Sequence, residues 1–293
     1  MKIKLLTVAA VLSLYNIIIT LIINDKMYSI FAIIIGTFIG IYLLYKWMVN
    51  PISLMKKQIK AVEDENARIE NIRKEFVANV SHELKTPLTS ISGFIETLQN
   101  GAAEDPEARN KFIEIIAIET ARLKRLIQDI LILSDIESNI ETSNVDFSIN
   151  DIITKVIELL DPIAKQKKIS IECAFHDNIY LNGNEDKFTQ MIVNLVENAI
   201  KYSNEDTIVN VDTTENNNQI IINVIDHGIG IAKDDLNRIS ERFYRVDKSR
   251  STKVGGTGLG LSIVKHTATL FGGDLQIKSE LGKGSTFSIV INK

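Results

Sequence analysis

Apolar residues recur along residues 76–98 at spacings of three and four: Phe76, Val80, Leu84, Leu88, Ile91, Ile95 and Leu98. That period predicts a helix with one apolar stripe. A second stripe, Phe112, Ile116, Leu123, Leu126, Ile130 and Leu133, predicts another helix, opened by Asp105 as N-cap and Pro106 at the first helical position. Asn100-Gly101 separates the two. One hairpin cannot cover both stripes, so two chains are expected to pair as a four-helix bundle, making a homodimer. Upstream, Met55, Val62, Ile69 and Phe76 lie seven apart, and Ile52, Ile59 and Asn66 precede the first three of them by three. This is the a/d register of a parallel two-stranded coiled coil, with Asn66 setting register; a single amphipathic helix lying on another domain is the alternative.

Two stretches are apolar all round. Residues 5–23 carry no charge over 19 positions and residues 28–45 none over 18, each about 27 to 28 Å at 1.5 Å per residue, enough to cross a bilayer. The first exceeds a signal-peptide core and has no A-x-A-like site after it, so two retained transmembrane helices are expected. Lys2 and Lys4 before the first, and Lys46, Lys56, Lys57 and Lys60 after the second, place both termini in the cytoplasm by the positive-inside rule. Tyr42, Tyr45 and Trp47 would mark the inner interface. Only residues 24–27, or one or two more, would lie outside, too few to fold as a sensing domain. Gly36 and Gly40 form GxxxG, which either lets two helices approach closely or simply faces lipid.

From about Phe147 the period becomes mixed. Helical patterns at 150–167, 185–202 and after Gly258 alternate with strand-like runs at 169–175, 179–181, 208–213, 220–226, 275–278 and 286–291. Helices with largely antiparallel strands predict an α/β sandwich, helices on one face of a mixed sheet. The domains expected are therefore residues 1–50 (two transmembrane helices), 51–75 (signalling coiled-coil helix), 76–140 (helical dimerisation) and 145–293 (α/β).

Composition changes this picture little. A net charge of −4 over 293 residues gives no reason to expect nucleic acid. The single Cys173 excludes an intrachain disulfide, and its alternation with Ile169, Ile171 and Phe175 predicts a buried thiol.

The candidate chemistry starts at His82, which lies off the stripe of its helix and faces water as a neutral nucleophile. Taken alone, a surface histidine is as often inert. Thr86 shares its face, four residues on. Glu83 is turned away by about 100° and could reach the imidazole only through side-chain length or a local distortion, which Pro87 would supply as a bend. H-E-x-x-H zinc chemistry is excluded because Thr86 stands at the second histidine's place.

Four clusters mark the α/β region. Asn194 and Asn198 lie one turn apart, followed by Lys201 and Tyr202; an amide oxygen suits Mg²⁺ and Lys201 a phosphate. Asp226, Gly228 and Gly230 sit at a strand end, where the carboxylate could accept from an adenine amino group and the glycines admit a flat ring. Arg242-Phe-Tyr-Arg-Val-Asp247 leads into a basic segment. Residues 255–260, GGTGLG, expose backbone N–H groups at a helix start, a ready anion site. This loop is neither Walker A nor a convincing dinucleotide fingerprint. Each cluster suits a different part of Mg-ATP.

Together FVANVSHELKTPL (76–88), NLVENAIKY (194–202), DHGIG (226–230), RFYRVD (242–247), GGTGLGL (255–261) and GKGSTF (282–287) resemble, in order and spacing, the H, N, G1, F and G2 boxes and closing glycine motif of the bacterial two-component sensor histidine kinases. The resemblance implies a Bergerat ATP-binding fold and a protein-histidine kinase. On it, His82 would take the ATP γ-phosphoryl and pass it to an aspartate of a response regulator. Glu83 would be general base or orienting carboxylate, and Thr86 would align water for dephosphorylating that partner. Asn198 would bind Mg²⁺ with Asn194 nearby, Lys201, Tyr202 and Arg245 would contact nucleotide, and Asp226, with Gly228 and Gly230, would hold adenine. Gly256, Gly258, Leu259 and Gly260 would line the phosphates, and residues 246–256 would form the mobile ATP lid. His227 stands where asparagine is commoner, which should alter only a water-mediated contact. Residues 51–75 are too short for a complete HAMP domain. The absent external domain resembles intramembrane-sensing kinases of the bacterial cell membrane, in which an accessory membrane protein or the lipid bilayer itself supplies the signal. The rivals are an ATP-gated conformational clamp and a protein of the same fold that is chiefly a phosphatase or a non-catalytic regulator.

Overall fold

The computed structural model describes residues 2–22, 26–137, 144–175, 178–216, 218–246 and 256–293. They form two compact units, Met1–Val77 and Ala78–Lys293. In the first, α1 (Lys2–Ile22) and α2 (Lys26–Leu44) are followed by a π-helical turn, Tyr45–Val49, and the opening of α3 (Asn50–Thr97). Gly36 and Gly40 of α2 are buried, and a Cβ on either would strike Tyr15 or Leu12 of α1. The GxxxG pair therefore serves packing of α2 on α1 within one chain. Leu14, Leu21, Phe31, Ile35 and Phe38 point outward and are exposed. Ile30–Trp47 is long and apolar enough by length and composition to cross a membrane, and Ala10–Ile22 is a shorter apolar helix. Of the expected external loop, residues 24 and 25 lie outside the described residues.

In the second unit, α3 continues through Pro87 to Thr97. A π-helical turn, Leu98–Ala102, breaks it, with Gly101 at φ 109°, a conformation that costs glycine little. Asp105 Oδ1 then accepts from Glu107 N at 3.0 Å and opens α4 (Pro106–Glu137). Phe94 and Phe112 stack across this hairpin, ring centroids 5.3 Å apart. Leu88 and Ile95 of the α3 stripe nevertheless remain exposed, as do Ile113, Ile127 and Leu131, which lie off the predicted α4 stripe, so one hairpin leaves apolar surface uncovered on both helices.

The α/β part comprises β1 (Val145–Ser148), α5 (Ile149–Gln166), β2 (Ser170–Phe175), β3 (Tyr180–Gly183), α6 (Glu185–Tyr202), β4 (Ile208–Glu215), β5 (Gln219–Asp226), α7 (Gly260–Leu270), β6 (Gly273–Glu280) and β7 (Gly284–Asn292). Ser148 and Asn184 cap α5 and α6, each side chain accepting from the backbone N–H three residues on. The five-stranded sheet runs β2-β4-β5-β7-β6, with β2 parallel to β4 and the other pairs antiparallel. β1, which the pattern did not predict, pairs only with β3 in a separate two-stranded ribbon. Alternate residues of β4 and β5, Val209, Val211, Ile220, Ile222 and Val224, meet the apolar stripes of α5 and α6 in one core.

Cys173 corrects an expectation: it is exposed. Its parity is that of Ile169, yet β2 is an edge strand, and at the sheet's margin inward parity does not ensure cover.

Candidate functional site

The inward alternation of β5, 220, 222, 224, continues to Asp226, which explains why a carboxylate is only 4% exposed there. Asp226 Oδ1 accepts from Gly228 N at 2.9 Å. Ser285, its register partner on β7, also donates to it. Burial holds its pKa above the ordinary carboxylate value, against the pull of those donors. The α6 stripe works the same way. Leu195, Ala199 and Ile200 face the core, while Asn194, Asn198, Lys201 and Tyr202 come round toward the end of β5 and the start of α7.

The glycines show which clusters meet. Gly228 pairs with Ser203 in a β-bridge and has no room for a Cβ against the carbonyl of Tyr202. A Cβ on Gly256 would stand 3.0 Å from Lys201 Nζ and 3.7 Å from the Tyr202 hydroxyl. One on Gly260 would stand 3.6 Å from Asn198 Nδ2 and 3.8 Å from Asn194 Oδ1. Gly258, at φ 75°, lies against the backbone of Phe243 and its carbonyl accepts from Phe243 N at 2.9 Å. The buried Leu259 leads directly into α7. Gly230 abuts Glu280, and Gly284 abuts Asp226 and His227. The four clusters thus meet around the C-terminal end of α6, although they lie far apart in the chain. His227 is exposed. Val246 and Gly256 bound the expected lid, whose residues 247–255 lie outside the described residues.

Among the described residues, two side chains of this cluster hold buried donors that meet no hydrogen-bond partner: Asn194 through Nδ2, and Arg245 through Nε and Nη2. Such atoms are costly to leave unpaired, and phosphate oxygens are the acceptors that guanidinium nitrogens match best. Among the described residues no group of three or more His, Cys, Asp and Glu side chains could hold a metal ion. A divalent ion here would need phosphate oxygens beside the Asn198 amide, which is how Mg²⁺ is usually held with nucleotides.

Burial lowers the Lys201 ammonium from 10.5 to about 8, opposed by Glu197 and Asp129 and assisted by Arg125 and Arg245. Burial likewise lowers Arg245, with Arg122 adding and Glu83 and Tyr202 opposing.

His82 lies on α3 with its side chain 77% exposed, and the Glu83 side chain is 22% exposed. Glu83 Oε1 stands 3.9 Å from His82 Nδ1, while Oε2 accepts from Arg122 Nη2 of α4 at 3.3 Å. Side-chain length thus closes the angle that the helix opens. The Thr86 hydroxyl donates to the His82 carbonyl at 3.2 Å, on the same face. The hairpin also touches the glycine-rich cluster directly: Thr257 Oγ1 donates to Asp129 Oδ2 of α4 at 2.6 Å. Burial raises the pKa of Asp129.

Sequence reasoning missed Glu197, Arg122, Asp129, Ser285 and Lys167. Glu197 adjoins a named asparagine, and the pair pattern itself could have flagged it. Arg122 and Asp129 look like solvated charges on α4 until the fold sets partners against them. Lys167 Nζ donates to the carbonyls of Ile200, Lys201 and Ser203 at 3.0, 2.7 and 2.7 Å, capping the end of α6 from 33 or more residues away.

Comparison with known proteins agrees with this arrangement. Residues 72–139 match the His Kinase A (phospho-acceptor) domain, and residues 183–293 match the histidine kinase-, DNA gyrase B- and HSP90-like ATPase family. The chain is 40% identical over 230 residues to the sensor-like histidine kinase SenX3 of Mycolicibacterium smegmatis, covering 78% of this chain and 60% of that protein. It is 38% identical over 230 residues to the sensor histidine kinase WalK of Bacillus subtilis, covering 78% of this chain and 38% of that one. The chain thus spans less than two thirds of the length of these relatives. Among solved structures, histidine kinase ThkA in complex with response regulator protein TrrA is similar at TM-score 0.63 and 25% identity, over 80% of this chain and 67% of that one. The Acinetobacter baumannii histidine kinase AdeS shares the fold at TM-score 0.57 and 23% identity, over 72% of this chain and 97% of that one. A histidine-bearing helical hairpin joined to this ATPase fold places the chain in the family of two-component sensor histidine kinases.

Proposed function

We propose that the chain is an ATP-dependent protein-histidine kinase that phosphorylates itself on His82 and passes the group to an aspartate of a response regulator. The convergence of the asparagine, aspartate, arginine and glycine clusters on one end of α6, with buried donors left for phosphate, is the observation that supports it. Asp226 with Gly228 and Gly230 binds adenine. Asn194, Lys201, Tyr202 and Arg245 bind the phosphates together with Gly256, Gly258, Leu259 and Gly260. Asn198 holds Mg²⁺, which when bound offsets phosphate charge.

The exposed His82 is the nucleophile. With Nδ1 turned to Glu83, the Nε2 lone pair attacks the γ-phosphorus, the bond to the bridging oxygen breaks, ADP leaves with the electron pair, and the Nδ1 proton goes to Glu83. Thr86, on the same face, orients water when the kinase removes phosphate from its partner. ThkA has been solved with a response regulator, which supports a partner of that class here. The apolar faces left open on α3 and α4 support a homodimer. The outward apolar residues of α1 and α2 support a helical pair spanning the bacterial cell membrane with both termini inside, residues 51–75 acting as a signalling coiled coil. Contact with lipid, or with an accessory membrane protein, supplies the signal.

The test is incubation of the chain, in detergent micelles, with γ-labelled ATP and Mg²⁺. Label on the protein that survives alkali and is lost in acid establishes phosphohistidine. ATP bound or hydrolysed without label on the protein would support a nucleotide-driven clamp instead.

Lys201 gives a second expected result. Its folded value of about 8 lies below the ordinary 10.5, so the unfolded chain binds more protons between these limits and stability rises with pH through that window. Phosphate placed against the amine restores its charged form. Nucleotide binding near pH 8 should therefore take up roughly half a proton, falling toward zero near pH 6. Calorimetry in buffers of different ionisation enthalpy measures this, and uptake that persists unchanged in Lys201→Arg would assign it to another group.

A further inference from the structure

Arg122 of α4 lies 39 residues from Glu83, yet the two side chains meet at 3.3 Å through Nη2 and Oε2. The other terminal nitrogen of the guanidinium, Nη1, stands 3.8 Å from Glu119 Oε2, one turn earlier on the same helix. That oxygen is buried and makes no hydrogen bond among the described residues. The Arg122 side chain is 12% exposed. Its planar fork is therefore held between two carboxylates, and a guanidinium suits that task better than a lysine's point charge. The consequence falls on Glu83. An acidic side chain next to His82 in sequence points away from it by about 100° around the helix and, left free, would sample rotamers facing solvent. With Oε2 tied to Arg122, the remaining oxygen Oε1 is the one presented to His82 Nδ1, at 3.9 Å. Arg245 is the other guanidinium whose charge Glu83 meets. Arg122, fixed by Glu119, keeps the carboxylate on the histidine side.

We propose that Arg122 is a positioning residue for phosphoryl transfer: it touches neither nucleotide nor imidazole, and acts by aiming the Glu83 carboxylate at His82. A line of contacts, Glu119 to Arg122 to Glu83 to His82, thus runs from α4 to the nucleophile, through residues that adjoin only pairwise in sequence or not at all.

With His82 as phosphoacceptor, as proposed above, initial rates of self-labelling at saturating Mg-ATP are compared for wild type, Arg122→Gln, Arg122→Lys, Glu83→Gln and the double variant, each as the full chain in micelles. General-base chemistry contributes about 100- to 10,000-fold, so loss of its aim should slow Arg122→Gln by about 10- to 100-fold while KM for ATP stays within about twofold. Arg122→Lys, which keeps the charge without the fork, should be intermediate. In the Glu83→Gln background, Arg122→Gln should cost less than about twofold more, because the carboxylate it aims is gone. A purely structural role would instead raise KM or multiply the losses. Wild-type rates in Arg122→Gln, or equal losses with and without Glu83, overturn the assignment. Binding of a fluorescent ATP analogue reports folding; if Arg122→Gln fails to bind it, the same comparison made with Arg122→Lys decides, again by whether its loss vanishes in the Glu83→Gln background. A wild-type chain that takes no label defeats the kinase reading itself, a result separate from any behaviour of the Arg122 variants.

Discussion

His82→Ala should reduce self-labelling from ATP to background while leaving nucleotide affinity within about twofold of wild type. In the proposed transfer the loss is complete because the imidazole would supply the only atom that bonds to phosphorus, and no neighbouring side chain can replace it: Glu83 and Thr86 are poorer nucleophiles toward a phosphoanhydride at neutral pH. Affinity survives because the nucleotide cluster sits around α6 and α7, not on α3. The fold should survive too. The side chain is exposed, alanine is the best helix former, and surface substitutions of this kind stay within roughly 0.5 kcal/mol. Labelling measured beside binding of a fluorescent ATP analogue separates the two. Residual alkali-stable label in the variant would move the acceptor to another histidine, and His227 and His266 would be examined next.

Asn198→Ala should weaken Mg-ATP binding on the order of 100-fold, about 2.7 kcal/mol, and suppress labelling with it. Asn198 is half-buried on α6 with its amide beside Gly260, where the glycine-rich loop passes into α7. On the proposed reading, removing it takes away a magnesium ligand that no His, Cys, Asp or Glu cluster among the described residues could replace. The backbone of α6 should tolerate the change, since its packing rests on Phe188, Met191, Ile192, Leu195 and Ala199. Titration with ATP in magnesium and in EDTA gives the decisive comparison. Wild type should bind far better with the ion, and the variant should lose that difference. If the variant keeps the magnesium dependence, the ion sits elsewhere.

Much of the α/β fold follows from local pattern. α6 begins and ends where the 3.6-residue period does, and β5 falls where its strand-like run does. Asp226 was legible as a carboxylate at a strand's end followed by glycines, and the structure adds that it takes the inward face. Cys173 shows the limit: period two tells which side of a strand a residue takes, but edge position decides whether anything covers that side. β1 escaped because four residues carry too little period to distinguish a strand from a loop, and its pairing with β3 is a tertiary fact.

By itself, then, the sequence determined the apolar helical pair near the N-terminus, the helical hairpin with His82 on its wet face, and the helices and strands whose ends bear the asparagines, aspartate and glycines. These depend on neighbours within one or two turns, and short-range geometry specifies them. Tertiary structure alone decided which distant groups meet. It set Arg122 against Glu83, Asp129 against Thr257 and Lys167 against the last carbonyls of α6. A charged residue on a helix looks the same in sequence whether it faces water or a partner far along the chain. Only packing chooses between them, because the energy of burying the charge depends on the group brought to meet it.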